Sequence, residues 1–423
     1  MQKAYSLKFK KLKRIPALVL ASVAIGVLSA LLTDTLKLVT EHYEGQLYDR
    51  FLEHNALIIA LPFAGFIAIL LLRHFLFRNT VNKGMREAMD CLSARTKYLP
   101  AYKIPSHYFN GFLTVIFGGS TGIEVSTVVA TATVGSLSSQ KTTWLKRYKN
   151  ELICAGIAAG ITALFNAPLA GVVFALEVFA LKINKRHLLS TGAAALTAYA
   201  LNLGLGDAPV FRLTVTHWNT FALPYFVLLG VFAGVFSTLL TRSIVWVKDF
   251  SQVIENTFVK ILLGSAAISV FIFMFPNLYG EGYSSINAME SSPMTTQALL
   301  SLALVLMIKP VVTSLTLSAG GDGGVFAPSL FMGAFLGFLM ASLLNTYFNA
   351  GVIPVNFIVI GMAALLSGSI HAPFTSIFLL CAVTGNYTLF VPIVVASVVA
   401  KIVARLILPY TVYSYSPVYR NKD

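Results

Sequence analysis

Long runs of apolar residues dominate the chain, and short polar or charged segments interrupt them. The runs cover residues 15–39, 56–77, 111–139, 152–181, 188–205, 221–247, 259–276, 297–319, 324–345, 352–383 and 388–409. Several exceed the ~20 residues that an α-helix needs to cross a lipid bilayer. The pattern therefore predicts an all-α membrane protein with many transmembrane helices.

The composition agrees with this prediction and argues against a soluble enzyme. Hydrophobic residues make up 57% of the chain and charged residues only 11%, against about 25% charged residues in soluble domains. The first 14 residues carry six basic side chains and no acidic one, a bias that places an N-terminus in the cytoplasm. The net charge of +14 then reflects membrane topology, and we expect no nucleic-acid partner because no other basic run is interleaved with aromatic residues.

The cysteines give no sign of a bound metal. Cys91, Cys154 and Cys381 lie far apart and form no CxxC pair, so neither a zinc site nor a disulfide framework is indicated. We expect no metal and no cofactor.

Two pairs of similar segments indicate an internal repeat. GIAAGITALFNAPLAGVVFALEV, residues 156–178, resembles GMAALLSGSIHAPFTSIFLLCAV, residues 361–383, and their Ala-Pro pairs match at an offset of 205. Just upstream, GGSTGIE ending at Glu124 matches GGDGGVF ending at Phe326 at an offset of 202. The alternative is chance similarity, because glycine and alanine are common in membrane helices.

A duplicated membrane chain with glycine- and proline-broken helices at corresponding places is typical of transporters. Unpaired N–H groups at helix N-termini attract anions, so the repeat predicts an anion path where two broken helices meet. We expect an inverted repeat of many tilted and broken helices. The predicted division is a basic tail, residues 1–14, followed by two transmembrane repeats, residues 15–205 and 206–423.

One carboxylate stands alone in the first half. Glu124 is the only formally charged residue between Lys103 and Lys141. Ionisable groups inside a membrane are expensive to bury and mark function by default, whereas a buried structural pair is the alternative. At a helix N-terminus an ionised Glu124 can occupy an anion site and block the path, and protonation releases it. We therefore expect Glu124 to have a function, in which proton binding by the carboxylate is coupled to anion entry.

The stretch SAGGDGGVFAPSLFMGAFLG, residues 318–337, places glycines before an aromatic residue, an Ala-Pro pair and an apolar helix. Glycine lets backbone approach a ligand closely, and Pro328 suits the first turn of a helix. The N–H groups of Val325 and Phe326 are then predicted to face an anion.

These residues resemble the GxFxP motif of the CLC chloride channel and antiporter family. Four further segments resemble motifs of the same family. GGSTGIEVS resembles its GGSxGREGP segment, and FNAPLAGVVFALE resembles the helix that follows that segment. YGEGYSSI resembles the segment before the second-half pore helices, and PYTVYS resembles the PHSIYT segment. The resemblance places Glu124 at the gating glutamate and Tyr413 at the anion-coordinating tyrosine. The other site residues that we assign are Val325, Phe326, Asn82 and Lys83 for anion binding, Gly122, Val125, Gly324 and Ala327 for the pore-motif backbone, and Glu177 for a possible proton pathway.

The resemblance implies a homodimer with one pore per subunit, embedded in a bacterial inner membrane with a cytoplasmic N-terminus. It implies exchange of chloride, or other small anions, for protons. A passive chloride channel is the alternative, because Val178 replaces the second, proton-passing glutamate of the antiporters.

One family motif is hard to find. Its GSGIP segment is best matched by NKGMR, residues 82–86, which sets Lys83 at the position of the coordinating serine. A full positive charge would hold a permeating anion too tightly. We therefore predict that Lys83 lies at the hydrated cytoplasmic mouth and that Asn82, or backbone N–H groups of this turn, replaces the serine.

A hydrolase motif is the rival interpretation. Residues 118–122 fit GxSxG, but that nucleophile elbow needs a strand, a turn and a helix, and then Asp and His partners. The surrounding sequence lacks a credible strand. We expect no enzymatic activity, and an intramembrane hydrolase is the remote alternative.

Overall fold

The computed structural model describes residues 14–53, 57–77, 79–80, 82–94, 96–179, 183–206, 210–211, 213–289 and 295–415. This part of the chain forms 16 α-helices and no β-strand. The helices are α1 Arg14–Glu53, α2 Leu57–Phe75, α3 Met85–Ser93, α4 Lys103–Ile116, α5 Glu124–Gln140, α6 Lys149–Phe165, α7 Pro168–Phe174, α8 Lys185–Leu205, α9 Leu223–Ser251, α10 Thr257–Met274, α11 Tyr283–Ala288, α12 Thr296–Ser318, α13 Phe326–Phe348, α14 Pro354–Ile370, α15 Pro373–Val383 and α16 Phe390–Ile407. Most of the predicted basic tail, residues 1–13, lies outside the described residues.

Seven of the described helices are long and apolar enough to cross a membrane: α1, α8, α9, α10, α12, α13 and α16. All seven carry large apolar side chains that are exposed at the surface, among them Leu20, Leu203, Trp246 and Leu406. An apolar surface of this extent indicates contact with lipid. The predicted all-α membrane fold is confirmed.

Three of the predicted apolar runs are broken helices. Run 111–139 divides into α4 and α5, run 152–181 into α6 and α7, and run 352–383 into α14 and α15. The breaks contain residues in the left-handed conformation, namely Gly118 (φ 86°), Asn166 (φ 53°) and His371 (φ 56°). Proline begins α7 and α15, where its missing N–H leaves no helical hydrogen bond unmade.

The sequence repeat is also a structural repeat. Ala167 and Ala372, which precede α7 and α15, have φ/ψ of −127°/80° and −120°/78°. Ile123 and Val325, which precede α5 and α13, have −79°/−3° and −87°/0°. The backbone therefore takes the same turns at equivalent positions of both halves. Helix α8 ends at Leu205, and the exact division of the chain at residues 205 and 206 stays a prediction.

Glycines allow close helix packing within each half. Gly135 and Gly156 lie at the contact of α5 with α6, and Gly333 and Gly361 lie at the equivalent contact of α13 with α14. A Cβ atom on Gly333 would lie 2.6 Å from the Cα atom of Met362. Small residues at such contacts let helix backbones approach closely, which is how membrane helices gain packing energy.

Basic residues cluster on one side of the protein. Leu18, near the start of α1, packs in one apolar cluster with Leu145 and Tyr148 of the α5–α6 connection. That connection carries three basic residues, Lys141, Lys146 and Arg147, and Lys149 begins α6. The start of α1 and this connection therefore share one side of the molecule, which we name the basic face.

Replacing Gly333 with alanine should destabilise the protein, because the new methyl group would clash with the α14 backbone. Overpacking of this kind lowers the free energy of unfolding by about 1–3 kcal/mol. Thermal unfolding in detergent, followed by tryptophan fluorescence, measures the change. Gly192→Ala in α8 is the matched control, because its Cβ would meet nothing within 4 Å. Equal melting temperatures for both variants would contradict the packing argument.

Candidate functional site

Each of the glycine loops that precede α5 and α13 donates a hydrogen bond to the helix that leads into the other loop, α12 or α4. The N–H of Ser120 donates to Oγ1 of Thr316 at 3.1 Å, and the N–H of Asp322 donates to Oγ1 of Thr114 at 2.9 Å. The two donors, like the two acceptors, are 202 residues apart in the chain. This exchange brings the N-termini of both helices together in the protein core.

Glu124 lies at this junction. It is the first residue of α5 and is 1% exposed. Its Oε1 atom accepts a hydrogen bond from the hydroxyl of Tyr283, and its carboxylate interacts with the backbone N–H of Ala327 in the first turn of α13. Among the described residues, Oε2 has no side-chain hydrogen-bond donor. The carboxylate thus occupies the N-terminal end of α13, where the partial positive charge of the helix is concentrated.

Tyr413 approaches the same helix end. The N–H of Val325 donates to the hydroxyl oxygen of Tyr413 at 3.4 Å. A Cβ on Gly324 would lie 2.9 Å from that oxygen and would also meet the side chain of Val125. The structure therefore brings these four residues to one point, as the sequence predicted for an anion site, and the missing side chain at Gly324 keeps the hydroxyl accessible.

Phe326 and Gly122 fix how closely the two halves approach. The Phe326 ring stacks on Phe165 with centroids 5.5 Å apart and meets Phe174 edge-on at 6.0 Å. A Cβ on Gly122 would lie 2.5 Å from the Cβ of Ala327. Aromatic packing anchors the start of α13, and the glycine allows the α5 loop to reach it.

A cavity of about 560 Å³ reaches the site from one side, and we name it the vestibule. Its lining includes Asn82, Lys83, Gly84, Val125, Lys248, Gly324 and Tyr413. The Lys83 side chain is exposed. Helix α3, which follows Lys83, is bound to the basic face because Nζ of Lys149 donates to the carbonyl oxygens of Cys91 and Ala94 at 2.5 and 2.8 Å. The vestibule therefore opens toward the basic face.

Asn82 belongs to a polar cluster in the vestibule wall. Its Nδ2 donates to Asp322 at 2.5 Å, while its Oδ1 accepts from Nζ of Lys103 at 3.1 Å and from Oγ of Ser106 at 3.2 Å. Asp322 also lies 2.9 Å from Nδ1 of His107. These contacts hold the Asn82 side chain in the wall. The first N–H groups of α3, which have no side-chain cap, are the other candidates for the missing serine.

On the opposite side of Glu124 there is only a very small cavity, of about 10 Å³. It is lined by Lys37, Thr40, Glu41, Ile123, Glu124, Leu164, Phe165, Val210, Glu281 and Tyr283. A space of this size holds about one water molecule. The Glu124 carboxylate therefore lines the water-sized cavity, whereas the vestibule reaches the neighbouring residue Val125.

Glu177 lies away from this junction and caps a helix of the other half. Its carboxylate accepts from the N–H of Phe374 at 3.2 Å and from both the N–H and the hydroxyl of Thr375 at 2.8 Å. Acceptors placed in this way satisfy the free N–H groups of a helix N-terminus, here that of α15. The contacts are structural, and a role of Glu177 in a proton pathway stays a prediction.

The hydrolase interpretation lacks its geometry. Residues 118–122 connect two helices, where the nucleophile elbow follows a strand. Oγ of Ser120 has no hydrogen-bond partner among the described residues, so no base activates it there.

Sequence reasoning missed two residues next to Glu124. The segment YGEGYSSI was noticed only as a motif, yet it supplies Tyr283, which binds Glu124, and Glu281, which accepts from the N–H of Ile123 at 3.0 Å. An acidic residue and a tyrosine two positions apart, set between glycines in an apolar chain, were the signal that was available.

The fold and the site are those of a membrane protein with many helices, in which a buried carboxylate meets the N-terminal ends of two helices. A sequence model of the family described as voltage gated chloride channel matches residues 64–405. The chain belongs to this family, the CLC family.

Two relatives show how far the similarity extends. The H(+)/Cl(-) exchange transporter ClcA of Vibrio cholerae is 30% identical over 333 residues, which cover 74% of this chain and 68% of the relative. The voltage-gated ClC-type chloride channel ClcB of Escherichia coli is 29% identical over 311 residues, which cover 71% of this chain and 72% of the relative.

Two solved structures share the fold. A CLC-type fluoride/proton antiporter superposes with a TM-score of 0.80 at 24% identity, covering 94% of this chain and 97% of that structure. A slow cyanobacterial Cl⁻/H⁺ antiporter superposes with a TM-score of 0.81 at 22% identity, covering 94% of this chain and 96% of that structure.

Replacing Tyr413 with phenylalanine should weaken anion binding, because the hydroxyl that meets the start of α13 is lost. A hydrogen bond to a charged group contributes about 1.5–3 kcal/mol, so the dissociation constant for chloride should rise roughly 10- to 150-fold by calorimetry. Tyr415→Phe is the control, because that hydroxyl donates to Asp249 at 3.5 Å. A larger effect of the Tyr415 variant would show that Tyr413 is not the coordinating tyrosine.

Replacing Lys83 with methionine should reduce anion flux modestly at low ionic strength and little at high ionic strength. An exposed lysine attracts anions over a distance that salt shortens to about 8 Å at physiological strength. Flux from liposomes at two salt concentrations measures this, with Lys146→Met, an exposed lysine outside the vestibule lining, as the control. Loss of chloride binding at every salt concentration would instead make Lys83 a direct ligand.

Proposed function

We propose that this protein exchanges chloride, or another small anion, for protons across a membrane, with Glu124 as the gate. The observation that carries this proposal is the position of the Glu124 carboxylate. It lies at the N-terminal ends of α5 and α13 and lines the water-sized cavity, while the vestibule reaches Val125 and Tyr413 beside it. A carboxylate resembles a small anion in charge and in its need for hydrogen-bond donors, so the two compete for one site.

The geometry favours an anion that binds and leaves. The donors at the junction are backbone N–H groups of α13 and the hydroxyl of Tyr413, and none of them carries a full charge. A unit charge about 4 Å from an anion would contribute about 4 kcal/mol at an effective dielectric constant of 20. Partial charges bind more weakly, which allows release on the far side.

Proton binding follows from the same competition. An ionised Glu124 occupies the site, whereas a protonated Glu124 loses its attraction to the N–H groups and makes room for an anion. Protons therefore favour anion entry, and an anion in the site favours the protonated, displaced carboxyl group. At this point of the path, the competition for one site is enough to couple the anion flux to the proton flux.

The relatives support the proposal and also keep a second candidate. The Vibrio cholerae relative is named as a proton/chloride exchanger and the Escherichia coli relative as a channel. Passive conduction is favoured by one observation, that Val178 rather than a carboxylate follows Glu177. The buried position of Glu124 favours exchange, because a proton carrier already lies in the anion path.

Orientation, assembly and location belong to the same proposal. The positive-inside rule makes the basic face cytoplasmic, so the vestibule opens to the cytoplasm. The family resemblance supports a homodimer with one pore in each subunit. The bacterial origin of the relatives supports the inner membrane as its location.

Replacing Glu124 with glutamine should uncouple the protein. Glutamine has the size of the protonated side chain but no proton that it can release. Chloride flux should therefore persist, lose its pH dependence and no longer drive protons. Liposomes with a chloride gradient, a chloride electrode and an internal pH dye measure both fluxes. Glu255→Gln, at an exposed position, is the matched control and should behave like the parent protein.

The same assay separates the candidates. Uphill proton movement driven by chloride in the parent protein identifies exchange. Rapid chloride flux without such proton movement identifies a channel. Proton movement that persists in Glu124→Gln would refute the assignment of the gate.

A further inference from the structure

A second group of buried charged side chains lies beside Glu124, away from the vestibule. It consists of Glu281, Glu44 and Lys309, and we name it the buried charge cluster. Glu281 is 7% exposed and Lys309 is fully buried. Charges are placed inside a membrane protein at a high energetic cost, and the site described above does not use them.

Glu281 and Glu124 share one helix end. Glu281 accepts from the N–H of Ile123 at 3.0 Å, while Tyr283, two residues further on, donates to Glu124. Gly280 and Gly282, with φ of 58° and 80°, turn the chain so that both side chains reach the start of α5. Two carboxylates therefore lie at the N-terminus of the helix that carries the gate.

The remaining charges surround Glu281 from two other helices. Its backbone N–H donates to Oε1 of Glu44 on α1 at 3.1 Å. Lys309 on α12 interacts electrostatically with both Glu281 and Glu44, and its Nζ lies 4.3 Å from the centre of the Phe331 ring. Among the described residues this ammonium group has no hydrogen-bond partner. A buried cation in such a position needs nearby negative charge, and Glu281 and Glu44 are the carboxyl groups that face it.

Repulsion between the carboxylates of the buried charge cluster and Glu124 determines which of these groups carries a proton. Glu281 interacts electrostatically with Glu124, Glu44 and Glu41, and one buried lysine cannot balance that many carboxylates. Two carboxylates that share a site do not both ionise cheaply, and they titrate as a coupled pair. Ionisation of Glu124 therefore favours a proton on Glu281, and ionisation of Glu281 favours a proton on Glu124.

The residues that line the water-sized cavity extend from the two carboxylates to an exposed residue of α1. The water-sized cavity is lined by both Glu124 and Glu281, and also by Lys37 and Glu41 of α1. Glu41 is exposed, and at about 1.5 Å per residue it lies roughly 40 Å along α1 from the basic face. One water molecule in this cavity could link the carboxylates to that side.

We propose that Glu281 is a second proton-carrying carboxylate of the exchange reaction, which passes protons between Glu124 and the face opposite the vestibule. In each transfer an O–H bond breaks on one carboxyl group and forms on the other, directly or through the water, and the summed charge of the pair is unchanged. Lys309 and Glu44 position Glu281 and hold the pair near one negative charge. The inference rests on the proposed exchange function.

The test is a double-mutant cycle of Glu281→Gln and Glu124→Gln in liposomes, with chloride and proton fluxes recorded separately. Glutamine keeps an oxygen that can accept from the N–H of Ile123 but cannot carry the proton. In the parent background, Glu281→Gln should lower proton flux at least tenfold. In the Glu124→Gln background the gate no longer needs protons, so Glu281→Gln should produce no further change in chloride flux.

Each other outcome is decisive. Unchanged proton flux in Glu281→Gln overturns the inference and leaves the exchange function intact. A further loss of chloride flux in the double variant shows that Glu281 only supports the fold, which also overturns it. Absence of chloride-driven proton movement in the parent protein refutes the exchange function and the inference together. Glu255→Gln provides the control for both fluxes.

Discussion

The exchange of hydrogen bonds between each glycine loop and the helix that leads into the other loop is the constraint on which the rest of the structure depends. Ser120 with Thr316 and Asp322 with Thr114 join the two halves at equivalent atoms, so the starts of α5 and α13 must face each other. Two helix N-termini that meet inside a membrane leave N–H groups that lipid cannot satisfy. A negatively charged group stabilises these N–H groups, and it can be either the protein's own carboxylate or an anion in transit.

Among the described residues, the groups that donate to the Glu124 carboxylate carry no full charge. The two lysines on the vestibule side are held away from it: Lys83 is exposed at the vestibule, and Lys103 donates to Glu87 at 2.8 Å and to Asn82 at 3.1 Å. Partial charges from helix ends are strong enough to draw an anion out of water when several converge. They remain weak enough for a single carboxyl group, by losing or gaining one proton, to decide which negative group is bound.

The sequence predicted the parts of the structure that leave a local signature. The lone Glu124, the glycines before Phe326 and the repeated Ala-Pro breaks identified the fold and four residues that meet at one point. It did not predict which side chains surround Glu124 from distant segments. The contacts of Tyr283 with Glu124, and of Asn82 with Asp322, join residues 159 and 240 positions apart. Such pairs depend on how the two halves pack against each other, and the spacing of residues along the chain does not predict that packing.

The two halves fold alike but differ where the chemistry occurs. Glu124 at the start of α5 corresponds to Phe326 at the start of α13, and Glu177, which caps α15, corresponds to Ala382. A symmetric protein would place two carboxylates at the junction, where only one could ionise readily, and neither helix end would be left to receive an anion. With one carboxylate and one aromatic ring, α5 supplies the proposed gate, and α13 supplies N–H groups for which, in the proposed mechanism, the gate and the anion compete. The repeated fold thus brings two helix ends together, and the different residues at these ends give each of them a different role.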